Sequence, residues 1–313
     1  MVVTVLMSVY DPPVGMLHTA VASILNQTFS DFEFLILDDG SGNERVRAQL
    51  DSWSAKDPRV RLFHEPHRGV PATGNRGLAL ARGAYIARQD SDDWSEPMRL
   101  ARQVAFLDLH PETALAGTDT WSHSSSGNPL WRLRLPHTSA ELTPALRKGN
   151  PFVHGSTMFR RETALAIGGY REEFPCSSDY DFLWRMADAG GAVNLPEVLY
   201  HYRYTGGSIS ARRAADQARV HRAAQLLAAS RRAGKPEDIS AALSAADQQT
   251  LAEPFRSALK QADHLLLAGD FAAAAKAYFE VLRAHPMRGL AWAKLFRLAV
   301  FAAIPRAREA SFR

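Results

Sequence analysis

The first ninety residues alternate between apolar runs of strand character and segments of helical period, and this alternation constrains the fold more than any other feature of the chain. The runs are rich in β-branched and aromatic residues and lack a helical period, so each predicts a strand, and the first two predict buried strands. The expected strands are 2–10, 32–37, 60–64 and 84–89, and the expected helices are 14–27, 43–53 and 73–83. Strands that alternate with helices predict an α/β fold, with a largely parallel, twisted sheet and helices on both faces.

Short polar segments follow three of these strands. They are SVYD (8–11), DDGS (38–41) and DSDD (90–93). In a sheet of this kind, ligands bind in the crevice beyond the carboxyl ends of the strands. We therefore expect the three segments to line one crevice.

The third segment packs Asp90, Asp92 and Asp93 into four positions. Carboxylates this close raise each other's pKa unless water or a cation separates them. The spacing excludes an EF-hand, because Trp94, Ser95 and Ala101 stand where Asp or Asn, Gly and Glu are needed. Two readings stay open on this evidence: a solvated turn, or a site for Mg²⁺ or Mn²⁺ that bridges a substrate phosphate.

Other nucleotide and metal motifs are missing from the sequence. No Gly-x4-Gly-Lys-Ser/Thr loop and no His-Glu-x-x-His pair occurs. DDGSGNER has Arg45 where a dinucleotide fingerprint needs its third glycine. A P-loop, a dinucleotide-binding turn and a zincin site are therefore excluded.

The single cysteine, Cys176, excludes a disulfide framework and a multi-cysteine zinc site. Met1 leads almost directly into a strand with no basic leader, and no apolar run is long enough to span a bilayer. We expect a cytoplasmic protein. Residues 283–313 contain seven Lys or Arg and one acid, which is typical of a solvated basic helix face and also suits peripheral contact with anionic lipid at the inner face of the membrane.

The composition changes near residue 210. Ala and Arg dominate from 211 onward and the period becomes helical, so we expect a first domain at 1–210 and an α-helical region at 211–313. Within the second, Gly269, Ala274, Tyr278 and Pro286 fall at the spacing of one tetratricopeptide-type hairpin. One such hairpin cannot form a solenoid.

Seven segments resemble, in order, glycosyltransferase family 2, whose members are inverting enzymes with the GT-A fold. The segments are 5–11, 23–41, 75–94, 96–112, 150–170, 177–191 and 199–210. One motif alone would be weak evidence, but seven in order are specific. The resemblance covers residues 2 to about 210 and implies transfer of a sugar from a nucleotide diphosphate-sugar, most simply a UDP-sugar, to an acceptor hydroxyl.

The resemblance implies that the first two polar segments hold the nucleotide. Ser8 and Tyr10 would contact the base, with the Tyr10 ring as a stacking face, and Asp38 or Asp39 would accept a hydrogen bond from it. The alternatives from the residues alone are a buried strand tyrosine and turn-forming aspartates.

In the third segment, the resemblance places Asp90 near the ribose and Asp92 on the metal, Mn²⁺ or Mg²⁺, with Asp93 behind them. Asp179 takes the position of the general base. Asp181 would orient the site or cap a helix, and His154 matches a position near the acceptor.

The sequence departs from the family pattern at three places. Ser178 replaces the Glu of the usual acidic pair, Gly74 replaces an Arg beside Asn75, and Thr205 replaces a His before the last loop. The positions that remain for a phosphate-binding positive charge are Arg68, Arg76 and Arg88.

The expected substrates are a nucleotide-sugar donor and a saccharide or lipid-linked acceptor, as in polysaccharide or other glycoconjugate synthesis, and no nucleic acid is expected. Two other functions stay open: a catalytically idle sugar-nucleotide-binding scaffold and a nucleotidyltransferase. The second is disfavoured because SVYDPPVG lacks the basic glycine-rich loop that such enzymes carry after the first strand.

Overall fold

The computed structural model describes residues 1–204, 214–251, 258–259, 262–263, 265–266, 271–286, 292–295 and 309–311. The chain forms two compact units. The first comprises Met1–Trp121 and Arg134–Tyr202, and the second comprises Ser122–Leu133 and the described residues of Arg203–Arg313. The predicted boundary at 210 falls between 204 and 214, outside the described residues, and stays a prediction.

The first unit begins with the predicted alternation of strands and helices. Its elements are β1 (Val3–Val9), α1 (Val14–Leu25), β2 (Phe32–Asp39), α2 (Glu44–Lys56), β3 (Val60–Glu65), α3 (Val70–Leu80) and β4 (Tyr85–Asp90). The predicted bounds differ from these by at most three residues at any end. The main difference in the sheet is that β2 includes Asp38 and Asp39, which the sequence assigned to the following turn.

Shorter elements follow along the chain. They are β5 (Trp94–Ser95), α4 (Arg99–Leu109), β6 (Leu115–His123), β7 (Pro129–Arg134), α5 (Ser139–Leu146), a 3₁₀ turn (His154–Ser156), β8 (Met158–Arg160), α6 (Arg161–Ala166), α7 (Ser178–Gly190) and β9 (Ala192–Arg203). The residues of β7 and the end of β6 belong largely to the second unit.

The strand order of the first unit is β6-β8-β4-β1-β2-β3. Strands β3, β2, β1 and β4 are parallel, whereas β8 runs antiparallel to both β4 and β6. Because β1 has β2 on one side and β4 on the other, the chain reverses its direction of progress across the sheet at β1. Such a switch point is where open α/β sheets bind ligands.

Strands β1 and β2 are buried because helices cover them, whereas the edge strand β3 is only partly buried. The core joins the β1 and β2 residues Val5, Met7, Phe34 and Ile36 to the inward face of α1, represented by Leu17. These residues are fully buried. The continuous apolar runs that predicted the strands follow from this two-sided burial.

The described part of the second unit is mainly helical, as expected. It contains α8 (Ala214–Arg232), α9 (Ile239–Leu251) and α10 (Phe271–Ala284), with a short strand β10 (Glu309–Ser311). Ala274 and Tyr278 are buried in α10, but Gly269 lies outside the described residues, so the tetratricopeptide-type hairpin stays a prediction. Within the described residues, no helix is both long and apolar enough to cross a bilayer.

Candidate functional site

The ends of β1, β2 and β4 bring the three polar segments to one edge of the sheet. Ser8 lies opposite Asp90 in the register of β1 and β4, and Val9 lies opposite Asp38 in the register of β1 and β2. The strand pairing therefore places the three segments at one edge of the sheet, as the strand assignments imply, and the crevice between them stays a prediction.

The loop that follows β4 is fastened to β9 through Tyr200. The Tyr200 hydroxyl donates to Asp93 Oδ2 at 2.9 Å and accepts from the Asp90 backbone N–H at 3.2 Å. Asp93 and Tyr200 are fully buried, whereas Asp92 is half-buried. Asp93 is therefore a buried support of the loop, which agrees with the expectation that it stands behind the two more exposed aspartates, Asp90 and Asp92.

A fully buried arginine, Arg99, supports the same loop. Its guanidinium lies over the Tyr200 ring, 5.0 Å from the ring centroid. Burial lowers the pKa of Arg99 to about 10, so it remains charged at neutral pH. Its acceptors are Arg88 O (2.7 Å), Ser95 Oγ (2.9 Å), Thr157 O (3.1 Å), Gln103 Oε1 (3.1 Å) and Gln89 Oε1 (3.3 Å). None of these is a carboxylate, so Arg99 bonds backbone carbonyls and neutral side chains and acts on Asp90 and Asp93 only through its charge.

The charge balance at Asp90 fits a bound divalent cation. Its side chain is 33% exposed, and its ion-pair partner among the described residues is Arg88, with Nη2 3.7 Å from Oδ1. Withdrawal from water raises the pKa of Asp90, and the nearby charges of Arg88 and Arg99 only oppose this shift. No group of three or more His, Cys, Asp or Glu within the described residues is arranged to hold a metal. Mg²⁺ and Mn²⁺ that bridge phosphates need only one or two protein carboxylates, so Asp90 and Asp92 would be enough to hold such an ion.

Asp179, the expected base, lies in the first turn of α7 and faces the same site. Its Oδ2 accepts a hydrogen bond from the Asn150 amide at 2.9 Å. Withdrawal from water raises the pKa of Asp179, and the negative charge of Asp90 raises it further. The fold thus brings Asp179 within electrostatic range of the β4 loop, 89 positions earlier in the chain (179 − 90).

Asp181, two residues further along α7, has a different environment. It is buried and accepts hydrogen bonds from Arg171 at 2.8 Å and Arg185 at 2.9 Å. Arg185 also donates to the backbone carbonyls of Ile167 and Gly169. Asp181 therefore fixes the loop that leads into α7, through arginines rather than as a helix cap.

His154 and Tyr170 form a pair on the α7 side of the site. His154 Nε2 and the Tyr170 hydroxyl lie 2.9 Å apart, and the Tyr170 ring stacks on Phe182 with centroids 4.0 Å apart. Burial and the charge of Arg88 lower the pKa of His154 well below its ordinary value, so the imidazole is neutral. Sequence reasoning missed Tyr170, which no motif singles out.

Tyr170 also explains one departure from the family pattern. A Cβ at Gly74 would lie 2.9 Å from the Tyr170 ring, so the ring occupies the space that a side chain at position 74 needs. Asn75, next to it, is engaged with the same residue: Oδ1 accepts from Tyr170 N at 2.7 Å, and Nδ2 donates to Tyr170 O at 2.9 Å. Asn75 therefore holds the Tyr170 backbone in this structure.

At the other end of the crevice, Tyr10 exposes an aromatic face. Its side chain is 56% exposed and stacks on His67 with ring centroids 4.2 Å apart. His67 Nδ1 lies 3.0 Å from Asp39 Oδ2, and the Asp39 carboxylate also accepts from the backbone N–H groups of Arg68 and Gly69. His67, which the sequence did not indicate, thus joins Tyr10 to Asp39.

Asp38 and Ser8 lie deeper at this end. Asp38 is buried, accepts from Ser41 N at 3.0 Å, and lies 2.7 Å from His64 Nδ1. Both aspartates of DDGS therefore stabilise loops as the structure stands. Ser8 Oγ is buried without a hydrogen-bond partner, so its hydroxyl is available to a ligand.

Backbone strain accompanies this site. Within the described residues, the non-glycine residues with positive φ are Asp11 (44°), directly after Tyr10, and Ser177 (51°), directly before α7. Such conformations concentrate at functional sites. The last expected loop, Thr205–Ser210, lies outside the described residues.

Comparisons with known proteins agree on one family. The sequence profile of Glycosyl transferase family 2 matches residues 4–167, just over half of the 313 residues. Among relatives, the amylovoran biosynthesis glycosyltransferase AmsE of Erwinia amylovora is 29% identical over 63% of this chain and 74% of its own length. The protein y4gI of Sinorhizobium fredii is 29% identical over 67% of this chain, but the chain spans only 23% of its length.

Two solved structures share the fold. The mannosyltransferase PcManGT from Pyrobaculum calidifontis, in complex with GDP-Man and Mn²⁺, has a TM-score of 0.57 at 19% identity and covers 97% of this chain and 81% of its own. S. aureus TarS 1-349, in complex with UDP-GlcNAc, has a TM-score of 0.58 at 18% identity and covers 95% of this chain and 89% of its own. The architecture predicted from the sequence is therefore confirmed.

Proposed function

Because the chain belongs to glycosyltransferase family 2, we propose that it transfers a sugar from a nucleoside diphosphate-sugar to an acceptor hydroxyl, with inversion at the anomeric carbon. The observation that carries the proposal is that Asp179, a carboxylate of raised pKa, faces the carboxylate loop at the sheet switch point. A base on one side of a bound sugar and a phosphate site on the other are what a single displacement needs.

Asp179 acts as the general base. A carboxylate whose pKa is raised takes up a proton more readily than an ordinary one. It accepts the acceptor's hydroxyl proton as that oxygen attacks the anomeric carbon, while Asn150 holds the carboxylate in place at 2.9 Å. Attack on the face opposite the departing diphosphate inverts the anomeric centre.

The nucleotide binds at the ends of β1 and β2. The exposed ring of Tyr10, backed by His67, offers a face for the base to stack on, and Ser8 Oγ supplies an unused hydroxyl. A divalent cation held by Asp92 with Asp90, Mn²⁺ or Mg²⁺, would supply Lewis-acid neutralisation of the diphosphate. Asp93 and Tyr200 keep that loop in position.

The donor is a UDP-sugar in this proposal, with GDP-sugars as the alternative. A fold neighbour is described with each kind of donor. The acceptor is a saccharide or lipid-linked saccharide of cell-envelope polysaccharide synthesis, which is supported by relatives named for amylovoran biosynthesis and for O-antigen biosynthesis.

The test is a donor screen. Wild-type protein is incubated with UDP- and GDP-sugars and Mn²⁺, release of the nucleoside diphosphate is followed with and without candidate acceptors, and the anomer of the product is assigned by proton NMR. Asp179→Asn is expected to lower turnover by roughly 10²- to 10⁴-fold. Asp188→Asn, an exposed aspartate on the same helix, is the matched control and keeps activity. A retained anomer, or full activity in Asp179→Asn, would refute the mechanism.

A further inference from the structure

Arg88 is a buried cation whose hydrogen-bonding capacity is not used. Its side chain is 2% exposed, and both Nε and Nη1 are buried without a hydrogen-bond partner. Its closest ion-pair contact is Nη2 to Asp90 Oδ1 at 3.7 Å, which is beyond hydrogen-bond distance. A buried charged donor left unpaired is costly, so this arrangement needs an explanation.

The surrounding structure holds Arg88 in this state. Its backbone N–H donates to Thr157 O at 2.8 Å, and its carbonyl accepts from Arg99 at 2.7 Å. The neighbouring guanidinium of Arg99 is fully provided with acceptors, whereas that of Arg88 is not. The unused donors are therefore specific to Arg88 rather than general in this region.

The guanidinium faces the reacting end of the site. Arg88 and Asp90 are two residues apart on β4, so their side chains project from the same face of the sheet. The positive charge of Arg88 adds to the effect of burial in lowering the pKa of His154, and it partly offsets the rise in the pKa of Tyr170 that burial causes. Tyr170 lies close enough to Asp179 for that carboxylate to raise its pKa, and His154 is paired with Tyr170.

The other arginines that the sequence offered are placed differently. Arg76 donates through Nε to Glu65 at 2.8 Å and is exposed. Arg68 is exposed, and its backbone N–H binds Asp39 at the base end of the crevice. Of the three, Arg88 alone is buried beside Asp90.

We propose that Arg88 binds an oxyanion at the reacting end of the donor through its unused guanidinium donors. The inference rests on the proposed function, because it assumes that a sugar nucleotide occupies the site. The oxyanion has two possible sources: the phosphate that carries the sugar, or a carboxylate on the sugar itself. Guanidinium pairs with either, and such charged hydrogen bonds are the strong ones.

The experiment is calorimetric titration, in Mn²⁺, of wild type, Arg88→Met and Arg88→Lys with UDP, UMP, GDP, GMP and two intact donors, UDP-glucose and UDP-glucuronic acid. If the phosphate is the oxyanion, Arg88→Met weakens diphosphates by about ten- to a hundredfold and leaves monophosphates unchanged. If the sugar carboxylate is the oxyanion, the variant weakens UDP-glucuronic acid selectively. Arg88→Lys restores part of the loss in either case.

Arg61→Met is the matched structural control, because Arg61 is a strand arginine paired with Glu33 at the other end of the sheet. It is expected to lower the melting temperature without changing any affinity. Should both Arg88 variants fail to fold, wild type in EDTA carries the test: a diphosphate must still raise its melting temperature more than the monophosphate does, because Arg88 remains as the cation.

Unchanged affinities for all ligands in a folded Arg88→Met would overturn the inference, as would equal stabilisation by mono- and diphosphates in EDTA. The proposed function fails by a different result, namely that wild type binds no nucleotide in Mn²⁺. If the Arg88 inference alone fails, wild type and Arg88→Met bind nucleotide equally well, and Asp92→Ala loses the binding.

Discussion

The substitution Tyr200→Phe removes one hydroxyl group and tests whether its hydrogen bonds fasten the loop after β4 to β9. The Tyr200 hydroxyl donates to the buried Asp93 carboxylate at 2.9 Å and accepts from Asp90 N at 3.2 Å. Hydrogen bonds to charged groups contribute about 1.5–3 kcal/mol and neutral ones about 1 kcal/mol. The variant is therefore expected to lose about 2–4 kcal/mol of folding stability.

The same change is expected to affect metal-dependent binding. Partners that orient metal ligands typically contribute 10–100-fold in metal affinity, so nucleoside diphosphate binding in Mn²⁺ is expected to weaken by about tenfold or more. The assays are urea denaturation of the metal-free protein, which reports stability, and calorimetric titration of Mn²⁺ with UDP or GDP, which reports the loop.

Tyr85→Phe is the matched control because Tyr85 lies at the opposite end of β4. Its hydroxyl also donates to a carboxylate, Asp108 Oδ1 at 2.7 Å, and accepts from Arg160 at 3.3 Å. Asp108 is exposed, so the variant is expected to lose only about 1 kcal/mol and to bind metal and nucleotide as wild type does. Equal losses of binding in the two variants, or no loss in Tyr200→Phe, would show that the Tyr200 hydroxyl does not hold the loop after β4 in its binding conformation.

Three further substitutions have distinct expected results. In Gly155→Ala the new Cβ would lie 2.0 Å from the Tyr200 hydroxyl and 2.8 Å from Asp90 Oδ2, so stability should fall by about 1–3 kcal/mol and nucleotide titration should show weaker binding; unchanged binding would mean that the loop adjusts freely. Asp179→Asn, besides its loss of turnover, should be more stable than wild type at pH 7, because the raised pKa of Asp179 makes wild type lose stability as pH rises from the unfolded-state pKa, about 4. Denaturation at pH 4 and pH 7 checks this, and a stability difference that does not change with pH contradicts it. Tyr10→Ala removes an exposed ring and should weaken nucleotide binding about tenfold at unchanged melting temperature, whereas Tyr10→Phe should bind normally; equal binding by both would exclude stacking.

The part of this structure that sequence predicts well is the part set by local pattern. The apolar runs of β1, β2 and β4 are continuous because both faces of those strands are covered, and each run stops at residues that favour turns. Ser8 and Asp90 are therefore partners in the register of β1 and β4, as the strand assignments imply.

Contacts between distant segments were not predictable in the same way. Tyr200 reaches Asp90 across 110 positions, and it does so only because β9 pairs with β5. Tyr170 fills the space beside Gly74, and no spacing of residues in the sequence predicts this contact. The grouping of residues 122–133 with the second unit depends likewise on tertiary contacts.

The burial of individual charged side chains could not be predicted from the sequence either. The sequence does not distinguish Arg68, Arg76 and Arg88 from one another. In the structure Arg68 is exposed, Arg76 forms an ion pair, and Arg88 is buried with unused hydrogen-bond donors. The same holds for Asp181, whose spacing resembles a helix cap but whose carboxylate binds Arg171 and Arg185.

The most direct test of the account is calorimetric titration of UDP and GDP, with and without Mn²⁺, on wild type and Asp92→Ala. The account predicts tight binding of one nucleotide that depends on Mn²⁺ in wild type and is lost in Asp92→Ala. Binding that is indifferent both to Mn²⁺ and to Asp92 would contradict it, and would make the DSDD segment a solvated turn rather than the metal-binding part of a glycosyltransferase site.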